Sequence, residues 1–259
     1  MLILISNDDG IQAPGINALR SALEHLGDVC VVAPDRPRSA SGLGITIHKP
    51  LRVEEFEFSA SNAKGYAVNG TPSDCVKLAI QALLPSKPDI VVSGINLGPN
   101  LGTDVLYSGT VSAALEGVIN GVPSIAVSLA SWESVDFDYA AKFAQKLVKV
   151  VLDKGLPDET LLNVNVPVLN DEKKPNRVAV TRLGKRRYEN TFEKRRDPRG
   201  KDYYWMGGEV MDIMAEPGTD IASVKNGEIS VTPLFFDVTD NNFMNMVREW
   251  NLDSILSDS

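Results

Sequence analysis

Along the first two-thirds of the chain, apolar residues fall into short unbroken runs, separated by stretches with helical spacing. LILIS (2–6), VCVVAP (29–34), DIVVSG (89–94) and SIAVSL (124–129) are runs of the kind found in strands covered on both faces, and LLNVNVP (161–167) completes the series. Between the first two, Ile16, Leu19, Leu23 and Leu26 recur every three or four residues, with Pro14 at the start and Gly27 just past the end. TPSDCVKLAIQALL (71–84) predicts another helix, with Thr71 as its cap, Pro72 at the first helical position and Asp74 in the first turn. SGTVSAALEGVINGV (108–122), with Ser108 or Thr110 placed to cap it, and the stretch near 136–154 predict two more helices, while RVEEFEF (52–58) alternates like an edge strand. Strands alternating with helices across short loops predict an α/β fold with a doubly wound, mostly parallel sheet.

After residue 170 the pattern changes. A charged, aromatic stretch, RRYENTFEKRRDPRGKDYYWMGG, predicts a long hairpin turning at Asp197-Pro198-Arg199-Gly200. TDIASVKNGEISVTPL and an amphipathic tail, NNFMNMVREWNLDSIL, follow it. An isolated hairpin is only marginally stable, and one this long cannot hide its apolar side on a single subunit. The expected division is a catalytic core over 1–170. Residues 171–259 then hold a basic arm, a closing strand segment and a C-terminal helix, all in the same structural domain.

Composition narrows the function. A chain of 259 residues, 43% hydrophobic and 23% charged, has the profile of a soluble globular protein. No apolar run approaches the roughly 18 residues that span a bilayer, and the start lacks the features of a signal peptide. Cys30 and Cys75 form no C-x-x-C pair and no disulfide framework, so a reducing cytoplasm is the expected compartment. With only His25 and His48, histidine-rich zinc chemistry and a Ser-His-Asp triad have little material. The net charge of −8 conceals an asymmetry: residues 171–202 hold twelve Lys/Arg and six Asp/Glu, leaving 14 basic and 28 acidic residues elsewhere. Such a segment faces solvent, a neighbouring subunit or an anion.

In an open α/β sheet, ligands sit beyond the carboxyl ends of the strands. There the first strand is followed by SNDDG, the second by DRPRSASGLG and the third by GINLGPNLGTDVLYSGT, three loops rich in Asp, Asn, Ser and Gly. Asn-Asp-Asp-Gly alone is good turn material. Adjacent carboxylates in a converging set of such loops point further, to a hard divalent cation such as Mg²⁺, Mn²⁺ or Ca²⁺ that relieves their repulsion. Gly42, Gly94 and Gly109 allow backbone amides to approach an anion, and a helix beginning at Ser108-Gly109-Thr110 aims its positive end at the same place. Carboxylate-held metal beside an anion cradle suits a phosphate ester, with water as nucleophile, deprotonated by Asp9 or by the metal alone. No Walker loop and no G-x-G-x-x-G follow the first strand, and the aspartates are adjacent rather than spaced D-x-D.

The segments ILISNDDGIQAPGI, VVAPDRPRSASG, GTPSDCVKLAI, PDIVVSGINLGPNLGTDVLYSGTVSAALEG, LLNVNVP and TDIASVKNGEISVTPL resemble, in order and from residue 1 to about 235, the survival protein SurE family of metal-dependent nucleotidases. The resemblance implies a Rossmann-like core and a hydrolase that dephosphorylates nucleoside 5′- or 3′-monophosphates, with short polyphosphate as a further substrate. It implies one divalent cation per subunit, Mg²⁺ or Mn²⁺ with Ca²⁺ and Co²⁺ as further options, held by Asp8, Asp9, Ser39 and Asn96. Residues alone leave Ser41 open beside Ser39, and Asn100 beside Asn96; the resemblance selects Ser39 and Asn96. Asp8 and Asp9 are then catalytic, and Gly42, Gly94, Asn96, Ser108, Gly109 and Thr110 form the expected phosphate cradle. It further implies exchange of the arm and C-terminal helix between subunits, giving a homodimer or homotetramer. Two other readings use the same residues: a non-catalytic nucleotide or phosphate regulator, and an RNA-binding protein acting through the basic arm. Paired carboxylates serve no purpose in an anion sensor, and the acidic remainder repels nucleic acid.

Overall fold

The computed structural model describes residues 1–133, 136–168, 175, 177–189 and 191–256. Strand β1 (Leu2–Ser6), helix α1 (Pro14–Leu23) and β2 (Asp28–Pro34) form the opening βαβ unit, with β1 and β2 parallel and Leu4 opposite Cys30. Pro14 begins α1 as expected, and its Ile16, Leu19 and Leu23 are completely buried. Each such side chain contributes about 1.5–3 kcal/mol by leaving water, which fixes the face that α1 turns to the sheet.

The chain then runs to the near edge through β3 (Val53–Glu57) and β4 (Lys64–Val68). It returns through α2 (Pro72–Leu78) to β5 (Ile90–Leu97), and continues through α3 (Gly109–Ile119), β6 (Ser124–Ala130), α4 (Asp138–Lys154) and β7 (Thr160–Pro167). The helix expected over 71–84 is α-helical only to Leu78 and widens into a π turn at Ala79–Leu83, where Leu84 donates to the Ala79 carbonyl at 2.9 Å. Its start is as read: Thr71 caps the helix, and Asp74 returns a bond to the Thr71 amide.

The described residues build a nine-stranded sheet. Besides the seven strands above it takes β8 (Val178–Val180), which is parallel to β13 (Ile229–Phe235). The order is β3-β4-β2-β1-β5-β6-β7-β13-β8. From β4 to β7 the neighbours are parallel; β3 at the edge and β13 against β7 are antiparallel. Helices α1 and α4 cover one face through a core that includes Ile3, Ile5, Val92, Ile95 and Val148. The other face packs through Leu4, Val32, Cys75 and Val91, extended by Val111, Ala114 and Leu161. Strand order reverses between β1 and β5, so the loops leaving these two strands diverge and open a crevice.

Between β8 and β13 the chain leaves the sheet. Strands β9 (Lys185–Glu189) and β12 (Glu209–Met214) pair at the root of an arm, and β10 (Phe192–Arg196) pairs with β11 (Asp202–Met206) at its tip. The tip turns where expected, with Gly200 at positive φ and its amide on the Asp197 carbonyl at 2.9 Å. Helix α5 (Asp220–Lys225) then leads into β13, and α6 (Asn241–Arg248) has no buried residue. Part of the basic segment, residues 171–174, 176 and 190, lies outside the described residues.

Candidate active site

Beyond β1 the chain makes a tight loop closed by its own side chain. Asn7 donates from Nδ2 to the Gly10 carbonyl at 3.0 Å and accepts the Gly10 amide on Oδ1 at 3.1 Å. Gly10 has φ +98°, which an L side chain rarely adopts, and the loop is pinned outward by Ile11 N on Pro34 O at 2.9 Å. This holds Asp8 and Asp9 at the crevice. Asp8 is buried and accepts the Thr110 hydroxyl on Oδ1 at 2.5 Å. Asp9 is half-buried and accepts the Leu97 amide on Oδ2 at 3.3 Å.

Thr110 stands in the first turn of α3, whose N-cap is Ser108, with Oγ accepting the Val111 amide at 3.1 Å. Gly109 allows the helix end to reach the aspartate: a Cβ there would lie 2.6 Å from Asp8 Cβ and 2.8 Å from its Oδ2. The first turn of α3 therefore rests directly against the Asp8 carboxylate.

The second loop is joined to the first by Arg38 N on Asp8 O at 2.7 Å, and Ser39, the next residue, is exposed. Gly42, at φ +51°, donates its amide to the Tyr107 carbonyl at 3.2 Å and so joins this loop to the third. Ser41 is half-buried, and its Oγ is enclosed without a hydrogen-bond partner. Asn96 sits at the end of β5 and turns Nδ2 to the Gly98 carbonyl at 2.8 Å, leaving Oδ1 as its outward oxygen. Gly94 is within β5, where a Cβ would meet the Val127 carbonyl at 2.3 Å; strand packing accounts for this glycine. His25 and His48 are both exposed and outside this constellation.

All donors presented here are oxygens: two carboxylates, of which Asp9 keeps an oxygen that accepts no bond within the described residues, one hydroxyl and one carboxamide. That set fits a hard divalent cation. Burial is the main cause that raises the Asp8 carboxyl from 3.8 to about 6; the Thr110 hydroxyl pulls it down and the Asp9 charge adds to the rise. Burial also raises Asp9, against the Leu97 amide. An acid whose folded value is raised costs stability when ionised, so this cost is absent in strong acid and grows as pH climbs from 4 through 6. For Asp8 it reaches about 3 kcal/mol at most. In chelator, Asp8→Asn therefore raises the melting temperature at pH 8, and the gain fades as the pH falls through 6; melting curves of the two proteins across that range check it.

Sequence reading missed the residues that hold the third loop. Asn163 and Asn165 of β7, both fully buried, donate to the Asn100 carbonyl at 2.9 and 3.0 Å, and Asn165 Oδ1 accepts the Asn100 amide at 2.8 Å. Asn100 Nδ2 in turn reaches Ser128 Oγ at 2.8 Å. Fully buried Asp220 accepts the Gly102 amide at 2.7 Å. The visible signal was asparagine at two alternate positions in an otherwise apolar strand. Asp74 plays the matching part for the second loop, accepting the Thr46 amide at 2.8 Å, while Thr71 donates to the Gly44 carbonyl at 2.7 Å. A separate cavity of 510 Å³ opens at the other end of the sheet, near Glu24, Cys30, Lys64, Tyr66 and Leu84, and shares no residue with the aspartate site.

This arrangement has counterparts in known proteins. The model of the survival protein SurE family matches residues 3–190. The 5′-nucleotidase SurE of Pelotomaculum thermopropionicum is 57% identical over 250 residues, covering 96% of this chain and 95% of its own length. That of Heliobacterium modesticaldum is 56% identical over 250 residues, at 96% and 92% coverage. The crystal structure of the SurE protein from Aquifex aeolicus superposes with a TM-score of 0.83 at 46% identity, covering 96% of this chain and 99% of that one. With the family's pattern running through the sheet, the crevice and the aspartate loop alike, this chain belongs to the survival protein SurE family.

Proposed function

We propose that this protein is a divalent-metal-dependent phosphomonoesterase that releases phosphate from nucleoside 5′- and 3′-monophosphates, and from short polyphosphate, by attack of water on phosphorus. The curated relatives named 5′-nucleotidase support the reaction class. The carrying observation is the carboxylate pair pressed against the start of α3, through the Thr110–Asp8 bond and the bare Gly109 backbone. A helix end alone would gather any anion, and carboxylates alone any cation; abutting, they suit an anion that arrives with a metal.

Asp8, Asp9, Ser39 and Asn96 are the proposed metal-holding residues. A cation there would polarise a phosphoryl oxygen and acidify water. Thr110 keeps the Asp8 carboxylate in one orientation, and the start of α3 at Gly109-Thr110 offsets charge on the phosphoryl oxygens, whereas the Gly42 and Ser108 amides are held by the Tyr107 and Val105 carbonyls. The proton of the attacking water would pass to Asp9, the less buried carboxylate, or leave through the acidifying effect of the cation alone. The test is phosphate release from a panel of 5′- and 3′-nucleoside monophosphates, using protein stripped with chelator and then given Mg²⁺, Mn²⁺ or Ca²⁺. Activity that returns with metal supports the reading; silence with every metal and substrate overturns it.

Ser39→Ala is expected to weaken Mn²⁺ binding about tenfold, and Ser41→Ala by less than threefold, since the loss of one oxygen donor costs on the order of 1–2 kcal/mol. Isothermal titration decides between the serines, and the reverse order would assign the ligand to Ser41.

The arm is proposed as the seat of self-association. Its tip exposes Phe192, Tyr204, Trp205 and Met206; α6 exposes Phe243, and Trp250 is exposed just beyond its end. Three cations of its tip are paired within it: Lys194 and Arg196 both with Asp202, and Arg195 with Glu193. Such a surface suits a second copy of the chain better than a phosphate backbone. Replacing residues 191–207 with a short Gly-Ser turn spares the root, and is expected to shift the protein to a smaller assembly in sedimentation. Among the described residues, no helix is long and apolar enough to cross a membrane.

A further inference from the structure

Asp220 is fully buried at the first position of α5, yet the helix does not need its carboxylate as a cap, because Thr219 already holds the Ala222 amide at 3.2 Å. No Lys or Arg pairs with Asp220 among the described residues. Its oxygens take backbone amides instead: Gly102 N on Oδ2 at 2.7 Å, Gly184 N on Oδ1 at 2.7 Å, and its neighbour Ile221 N on Oδ1 at 2.9 Å. A buried charge is tolerable only with such partners, and charge-assisted bonds of this length are the strong ones. Two of the three lie on remote segments, one of them the loop that leaves β5.

Gly102 opens the 3₁₀ turn Gly102–Leu106, which leads through Tyr107 and the extended cap Ser108 into α3: Tyr107 N donates to Asp104 O at 3.0 Å and Ser108 N to Val105 O at 3.4 Å. The same turn is gripped a second time from the arm root. Thr103 Oγ1 donates to the Arg186 carbonyl at 2.7 Å and accepts the Arg186 amide at 3.2 Å, while Arg186 reaches Asp104 at 3.1 Å and Asp212 at 2.7 Å. Gly102 has φ +55°, and a Cβ there would lie 3.1 Å from the Gly184 carbonyl, so the two segments touch backbone to backbone.

We infer that Asp220 is a positioning residue for phosphate binding: by fixing Gly102 it sets the turn that leads to the start of α3 at Gly109-Thr110, without itself touching the carboxylate pair. The inference rests on the phosphomonoesterase reading and assigns a further residue to that site. An offset of about 1 Å in such a turn is enough to cost a hundredfold in rate. It also predicts a larger effect on phosphate than on the cation, because the loop that carries Asp8 and Asp9 is closed by Asn7 and Gly10 and feels the turn only through the Thr110–Asp8 bond.

The test compares Asp220→Asn with the unmutated protein, well below both melting temperatures, using inorganic phosphate and Mn²⁺ as probes. A carboxamide cannot accept all the amides that the carboxylate accepts. Expected are a roughly tenfold weaker inhibition of p-nitrophenyl phosphate hydrolysis by inorganic phosphate and a reduced thermal shift on phosphate addition, with Mn²⁺ affinity within twofold of the unmutated value. A purely structural role lowers the melting temperature and leaves phosphate inhibition unchanged, which overturns the inference. If Asp220→Asn does not fold, Thr103→Val removes the other grip on the same turn and carries the same expectation for phosphate, with the same overturning result. An unmutated protein that neither hydrolyses phosphate esters nor responds to phosphate overturns the phosphomonoesterase reading itself, an outcome distinct from unchanged inhibition in the variants.

Discussion

Asp9→Asn is expected to lose metal-dependent phosphate release by roughly a thousandfold or more while the fold stays intact. Lewis-acid stabilisation by a metal is worth several kcal/mol and each 1.36 kcal/mol is tenfold in rate, so removing one of two carboxylates from an oxygen set of four falls in that range. The fold survives for a reason visible in the structure. Asp9 is only half-buried, an asparagine oxygen can still accept the Leu97 amide, and the neutral side chain removes one charge that burdens Asp8. The metal-free variant should therefore melt no lower than the unmutated protein. Nucleoside monophosphates assayed after chelator treatment and metal return provide the measurement; retained turnover would remove Asp9 from its proposed role.

Gly109→Ala is expected to cost about a hundredfold in activity by adding one methyl group. At an ordinary exposed helix position this change gains up to about 1 kcal/mol, because alanine is the better helix former. Here the added Cβ would lie 2.6 Å from Asp8 Cβ and 3.0 Å from Cγ, inside any real contact. The helix end and the aspartate must part, which moves both the Thr110–Asp8 bond and the amides behind it. A displacement of about 1 Å suffices for the loss in rate. Circular dichroism and steady-state kinetics together decide: full activity in a folded variant would mean that the close approach of α3 to Asp8 does not matter for catalysis.

What was legible in the sequence follows from how far each interaction reaches along the chain. Parallel strands must be apolar on both faces, so β1, β2, β5 and β6 stand out as runs. Strand β4, KGYAV, does not: it is short, begins with an exposed lysine and contains Gly65, where a Cβ would lie 2.3 Å from the Phe56 carbonyl. The cap and capping box of α2 span three residues and were readable, whereas the π turn that ends it was not. Asp8 and Asp9 announced themselves because adjacent like charges at the end of a buried strand call for a compensating group. Asp220 gave no such sign, since an acid in the first turn of a helix is ordinary, and its bond to Gly102 spans 118 residues. The role of Gly109 was equally hidden: the residue was noted as an open amide, but its contact lies about a hundred residues away.

That span of 118 residues has a temporal meaning during protein synthesis. Asp8, Asp9, Ser39 and Asn96 all emerge within the first hundred residues. A ribosome adding roughly 5–20 residues per second needs another ~6–24 s before Asp220 follows Gly102 out of the exit tunnel. Until then the nascent chain carries the four proposed oxygen donors and a third loop without its Asp220 anchor. On the proposed assignment, the cation-holding residues are made more than a hundred residues before Asp220, which falls in the last sixth of the chain.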